Sequence, residues 1–374
     1  SYHRDDDLKQ QIITHYRLNM ERMVRIARSS GAELIFVRPA INIKDMSPFK
    51  SEHREGLGEQ ALEDWEALYQ RAMEQQAAGA ASEALATYRE ALRIDDRYAE
   101  LHYRTGQVLF SLGLYDEAEQ AFRRAVEEDI APLRMLAPMQ QALSTVAAEE
   151  GVPLVDFQAI LRAAYLGEYD HAVFGKEYFP DHVHANMEGY RLLGLALLDE
   201  LVGQGIAIPD DSWNAARAES IGQEVVAGLD PRLEGHTLLN LGRVLDWAGK
   251  FSEAYNAFQQ ALEILGPNPV VYERLARSTY VLGKPDEALH YLRETLELAP
   301  AMRGVHARLA MILGKQGKTD AAIEHCRAEL ELNPEDHHVR TGYAQLLERK
   351  GDDIAALTQY RTALQIRPGH EFAR

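Results

Sequence analysis

Apolar positions recur at intervals of three and four over residues 7–28, where Ile12, Tyr16, Met20, Met23, Val24 and Ile26 share one side of a predicted helix and acids come early. Gly31 ends that run. Glu33-Leu34-Ile35-Phe36-Val37-Arg38 has no helical period; its branched and aromatic residues, closed by Pro39, predict a short buried parallel strand. Helical spacing returns over Leu133–Glu150, Gly151 breaks it, and Val152-Pro153-Leu154-Val155-Asp156 predicts a second such strand. A further helix is expected over Met187–Gly203, just after His184. The order helix, strand, helices, helix, strand, helix is that of an α/β layer with helices inserted into one crossover. Parallel sheets need helices on both faces and usually several strands. The remaining strands are therefore expected from residues upstream of Ser1 or from a partner chain.

Elsewhere the chain repeats itself. Gly249, Gly283, Gly317 and Gly351 are spaced by 34, as are Ala254, Ala288, Ala322 and Ala356, and Pro300, Pro334 and Pro368 keep the same step. Small residues where two helices touch, with Pro closing the second, resemble the tetratricopeptide repeat of paired antiparallel helices. Counting back from the prolines gives units 235–268, 269–302, 303–336 and 337–370, whose eighth positions are Gly242, Ala276, Ala310 and Ala344. The same register recurs upstream in Gly79 and Gly113, Ala84 and Ala118, Tyr88 and Phe122, and Ala91 and Ala125, which gives 65–98 and 99–132. There Asp96 and Ile130 replace the closing prolines.

Composition narrows the classes. A hydrophobic fraction of 46% with 26% charged residues is that of a globular chain, which excludes disorder and collagen-like structure. Forty Lys and Arg against 58 Asp and Glu leave a net charge of −18, a sign that repels phosphate backbones and anionic lipid, so neither nucleic acid nor a membrane surface is an expected partner. Cys326 is the one cysteine and cannot form an intrachain disulfide. No apolar run reaches spanning length, since even Leu192–Leu201 carries Asp199 and Glu200. The opening Ser1-Tyr2-His3, in place of Met, implies residues removed upstream, with which a signal peptide or anchor would be lost.

One short segment carries candidate chemistry. Asp181-His182-Val183-His184 follows Phe179-Pro180 and precedes the helix at Met187. An Asp three residues before a His, in a loop entering a helix, resembles the last sequence block of the SGNH or GDSL hydrolases. The resemblance extends through His15-Tyr16-Arg17-Leu18-Asn19-Met20, Leu34–Val37, Pro39-Ala40-Ile41-Asn42 and Ser47-Pro48-Phe49-Lys50-Ser51-Glu52-His53, over roughly residues 8–206. It is similar to the C-terminal half of bacterial SGNH hydrolase-like proteins with tetratricopeptide repeats inserted before that block. The resemblance implies His184 as general base and Asp181 as the carboxylate that orients it, the arrangement by which a His takes a serine's proton. That family draws its nucleophile from a Gly-Asp-Ser block and its oxyanion donors from that block, a Gly and a Gly-x-Asn block. None of these occurs here, and Gly266-Pro267-Asn268 is an inter-repeat turn, so the chain alone is expected to be inactive. The rival chemistry is metal binding by Asp181, His182 and His184, with His53 and His171 as further ligands if the fold brings them near. No metal or cofactor is assigned.

In tetratricopeptide arrays the first helix of each pair lines the concave face, with positions 2, 5, 6, 9 and 12 turned inward. In this register they include His236, Asn240, Arg243, Arg274, Arg277 and Arg308, with Lys315 nearby. Arginine forks bind carboxylates in bidentate fashion and Asn adds a neutral donor, so the set resembles clamps for acidic or C-terminal peptide segments. The alternative is that these arginines pair with Glu273 and other acids of the repeats. Few residues follow Pro368, so the array is expected to end without a polar capping helix, leaving an end that would dock on a partner or on a second copy.

The expected fold is mainly α: tetratricopeptide helical hairpins plus a partial α/β, flavodoxin-like SGNH lobe. The lobe would comprise 1–60 and 133–207, the inserted repeat pair 65–132, a linking helix 212–234 and the four downstream repeats 235–374. The expected function is a protein-interaction scaffold joined to the base-bearing half of an ester hydrolase or acyl-transfer domain whose N-terminal half is missing. A purely non-catalytic scaffold for an acidic peptide is the alternative.

Overall fold

The structure, a computed structural model, describes residues 3–230 and 232–367. Ser1, Tyr2 and Pro368 with the residues after it, including the end of the unit 337–370, lie outside the described residues. The chain forms two compact units, Ser1–Gly228 and Leu229–Arg374. The described residues hold seventeen helices and two short strands, so the fold is mainly α.

In the first unit α1 (Asp6–Ser29) starts where the Asp5 carboxylate accepts the Leu8 amide, and it stops before Gly31, whose φ of 71° suits a residue with no Cβ. Strand β1 (Phe36–Arg38) pairs in parallel with β2 (Leu154–Asp156), Phe36 opposite Leu154 and Arg38 opposite Asp156. The ladder is shorter than the apolar runs: Glu33–Ile35 stay outside it, and among the described residues no third strand joins. Helix α6 (Ala137–Glu150) packs with α1 around Val24, Phe36, Leu143 and Val146. It begins four residues later than the hydrophobic period predicts, because Pro138 occupies the first turn, where its missing N–H costs nothing. Helix α7 (Phe157–Leu166) has no counterpart in the sequence expectation; Asp156 caps it, and Phe157, Leu161 and Tyr165 form its buried stripe. Helix α8 (Met187–Gly203) starts at Asn186, whose side chain accepts the Gly189 amide, and α9 (Ala215–Ala227) starts at Asn214.

Between β1 and α6 come two helical hairpins, α2 (Glu59–Ala77) with α3 (Ala81–Ile94) and α4 (Ala99–Ser111) with α5 (Tyr115–Glu128), packed around Trp65, Tyr88, Leu101 and Phe122. Ile41, Ile43 and Val173 of the neighbouring loops join this core. The second unit stacks four more hairpins: α10 (Leu233–Trp247) with α11 (Phe251–Leu265), α12 (Pro269–Val281) with α13 (Pro285–Leu298), α14 (Val305–Lys315) with α15 (Thr319–Leu332), and α16 (His337–Lys350) with α17 (Asp353–Ile366). Every hairpin turns at a left-handed residue: Gly79, Gly113, Gly249, Gly283, Gly317 and Gly351 have φ between 76° and 85°. Phe258, Leu275, Leu292, Leu309 and Ile312 make the second core continuous from hairpin to hairpin. No described helix is long and apolar enough to cross a membrane.

Candidate functional site

Residues 167–186 connect α7 to α8 and carry the His–Asp segment. Asp181 folds the loop on itself, one oxygen accepting the amides of Val183 at 2.8 Å and His184 at 2.7 Å. Its other oxygen lies 2.7 Å from His184 Nδ1. A carboxylate accepts only, so Nδ1 carries the proton of that bond. The His184 side chain is 70% exposed and that of Asp181 20%. Among the described residues no hydroxyl bonds to the His184 ring. The loop is secured behind the pair: the Asn186 amide donates to the Tyr178 carbonyl at 2.6 Å, and Lys44 pairs with Glu177 at 2.5 Å. Burial works to raise the Glu177 carboxyl, but the Lys44 bond and backbone amides outweigh it and hold it below the usual range.

The residues considered for a metal do not converge. His182 is buried, with Nε2 3.4 Å from the Ser47 carbonyl. His53 Nδ1 lies 2.8 Å from the buried Asp95 carboxylate, its ring packed on Trp65 and Tyr98. His171 sits among Phe110, Tyr115 and Tyr165. Among the described residues no three His, Cys, Asp or Glu gather as a metal site would require.

The second candidate lies on the first helices of the downstream hairpins. His236, Asn240 and Arg243 are exposed along α10, one turn apart. Arg277 Nη1 reaches Asp246 at 3.1 Å, and Arg274 lies 3.9 Å from Asp246 and 3.3 Å from Glu273. Arg308 also pairs with Glu273, and burial lowers its guanidinium pKa. Asp246 and Glu273 are themselves buried, so Arg274, Arg277 and Arg308 form a ladder with them. Lys315 Nζ bonds the Tyr280 hydroxyl at 2.6 Å. Sequence reasoning passes over Asp246, though it occupies one of the inward positions of the register, and reads Glu273 only as a competing partner.

A family model described as "Tetratricopeptide repeat" matches residues 69–132, 273–337 and 307–371. The chain carries tetratricopeptide repeats in both of its helical arrays. No curated protein matches the chain. Among solved structures, YrrB, titled a TPR protein with an unusual peptide-binding site, is 22% identical over 50% of this chain and 90% of its own, with a TM-score of 0.36. A crystal structure of MamA is 18% identical over 43% and 97%, with a TM-score of 0.36. The first TPR of Spaghetti (RPAP3), bound to the HSP90 peptide SRMEEVD, is 18% identical over 33% and 97%, with a TM-score of 0.31. The β1–β2 sheet with its flanking helices lies outside the residues that the family model matches.

Proposed function

We propose that this protein is an interaction scaffold whose downstream tetratricopeptide groove takes an acidic peptide segment of a partner. The supporting observation is the charge along the first helices. Among the described residues, Arg274, Arg277 and Arg308 share two carboxylates, Asp246 and Glu273, and Arg243 and Lys315 add further positive charge, which leaves the line cationic in a chain of net −18. Arg243 has no partner among the described residues, and Asn240 beside it is exposed. A guanidinium and a neutral amide at that spacing suit a carboxylate and a peptide backbone respectively. Fluorescence anisotropy with a labelled peptide of Asp and Glu tests the reading. Binding weakened about tenfold in Arg243→Glu, equivalent to about 1.4 kcal/mol, is the expected result. Equal binding by the variant would remove the groove assignment.

A second reading rests on the 2.7 Å contact between His184 and Asp181. Together with the resemblance over residues 8–206, it supports the base-bearing half of an SGNH-type ester hydrolase, inactive in this chain alone because the Gly-Asp-Ser turn and its oxyanion donors are not in the sequence. A fluorophosphonate should label no serine of this chain. In a longer product of the gene it should label an upstream serine, and the label should vanish in His184→Ala. No label in either sample would retire the hydrolase reading and leave the scaffold.

A further inference from the structure

The His184–Asp181 loop is held by a buried polar chain that begins in the inserted repeats. Asp129, which ends α5, accepts the amides of Phe49 at 2.6 Å, Lys50 at 3.0 Å and Ala131 at 3.1 Å. Its carboxylate lies 3.8 Å from the guanidinium of Arg134, whose side chain is 1% exposed. Arg134 donates to the carbonyls of Asn42 at 3.0 Å, Met46 at 2.9 Å and Ser47 at 3.4 Å. Asn42, wholly buried, donates its own amide to the His182 carbonyl at 3.1 Å and its side-chain amide to the Asp181 carbonyl at 3.3 Å. Its side-chain oxygen accepts the Asp45 amide at 2.9 Å.

The same loop is fastened a second time, nearer its start. His171 packs on Phe110 and Tyr115, at the turn between α4 and α5, with ring centroids 5.1 and 4.2 Å away. Ile41, Ile43 and Val173 add apolar contact with the core of the inserted pair.

A carboxylate that orients an imidazole acts only within a few tenths of an ångström, so whatever places the Asp181 main chain places the pair. We propose that Asn42 and Arg134 are positioning residues for the Asp181–His184 pair, and that the inserted repeats are thereby part of its support. This rests on the reading of that pair as a proton-handling site. The test does not need hydrolase activity, so the failure of one is distinguishable from the failure of the other.

The readout is the tautomer of His184 in long-range proton–nitrogen spectra of the full chain labelled with nitrogen-15 histidine, recorded where the ring is neutral. Asp181→Asn assigns the signal. In the unaltered protein the Nδ1–H form should dominate. In Asn42→Ala and Arg134→Met the ratio of the two tautomers should fall about fivefold, the ratio controlled by a hydrogen bond of ordinary net strength. Arg134→Lys, which keeps the charge and a single donating nitrogen, should restore part of it. Tyr88→Phe, which removes a bond to Gln76 inside the inserted pair but touches no member of the chain, should leave the ratio unchanged. If Arg134→Met does not fold, the milder Asn42→Ser decides. An unaltered tautomer in folded Asn42 and Arg134 variants, or an equal change in Tyr88→Phe, would overturn the proposal.

Discussion

Gly242 and Phe258 pack so closely that a Cβ on the glycine would lie 2.5 Å from ring atom Cδ1 and 2.9 Å from Cζ. Gly106 stands in the same relation to Phe122, at 2.7 Å. Corresponding positions elsewhere pair Ala276 with Leu292, Ala310 with Cys326, Ala72 with Tyr88 and Ala344 with Tyr360, so glycine accompanies both phenylalanines and alanine the other four residues.

Gly242→Ala should therefore destabilise the second unit, although alanine is the better helix former by about 1 kcal/mol, because overpacking costs about 1–3 kcal/mol. Adding Phe258→Leu should recover most of the loss. Urea midpoints of the two single variants and the double variant measure the coupling; a higher midpoint for Gly242→Ala alone would show that the ring moves aside freely.

Burial lowers His102 below its ordinary 6.5, against the bond from its Nε2 to the Asp96 carbonyl. Below that pH the unfolded chain binds a proton that the folded chain resists, so stability is present above it and is lost as the pH falls towards the folded value. Burial also lowers His171 and His325, so the whole chain should lose stability as the pH falls from about 7 to about 5. His102→Gln should make that loss smaller. An undiminished pH slope in the variant would show that His102 contributes nothing to it.

Glu273→Ala removes the carboxylate shared by Arg274 and Arg308 and should cost roughly 1–3 kcal/mol, since a half-buried guanidinium loses its partner. Glu273→Gln should cost less. Denaturant titration of the full chain gives both values, and equal stability of all three proteins would mean that water replaces the carboxylate without loss.

Binding of an acidic peptide should weaken steeply with salt, because the screening length falls from about 10 Å at 0.1 M to about 3 Å at 1 M. A Lys-rich peptide of equal length should not bind. Anisotropy over a salt series measures both, and salt-independent affinity would point to an apolar contact instead.

The repeats were legible because their determinants are local. A glycine at each left-handed turn and a small residue at each helix crossing return every 34 residues, whatever lies between them. The loop entering α8 was legible for the same reason, since Asp181 and His184 are three apart. Asn42 and Arg134 were not: 92 residues separate them, and nothing near Arg134 marks its guanidinium as buried. Helix α7 escaped because its ten residues follow a strand without a break, with Asp156 both ending one and capping the other. The groove acids escaped for another reason: attention to the arginines alone hides that Asp246 and Glu273 share their register.

The two hairpins between β1 and α6 leave and rejoin the rest of the first unit at one point. The Ile130 amide donates to the Lys50 carbonyl at 3.1 Å, and Asp129 clasps the amides of Phe49 and Lys50. Once the two hairpins have formed, the rest of the first unit has a tight turn to close there rather than a long loop, and the entropy of closing the full length has already been met within the hairpins. Topologically the insertion has one seam, the clasp at Asp129, even though its core also packs on Ile41, Ile43 and Val173 of the flanking loops.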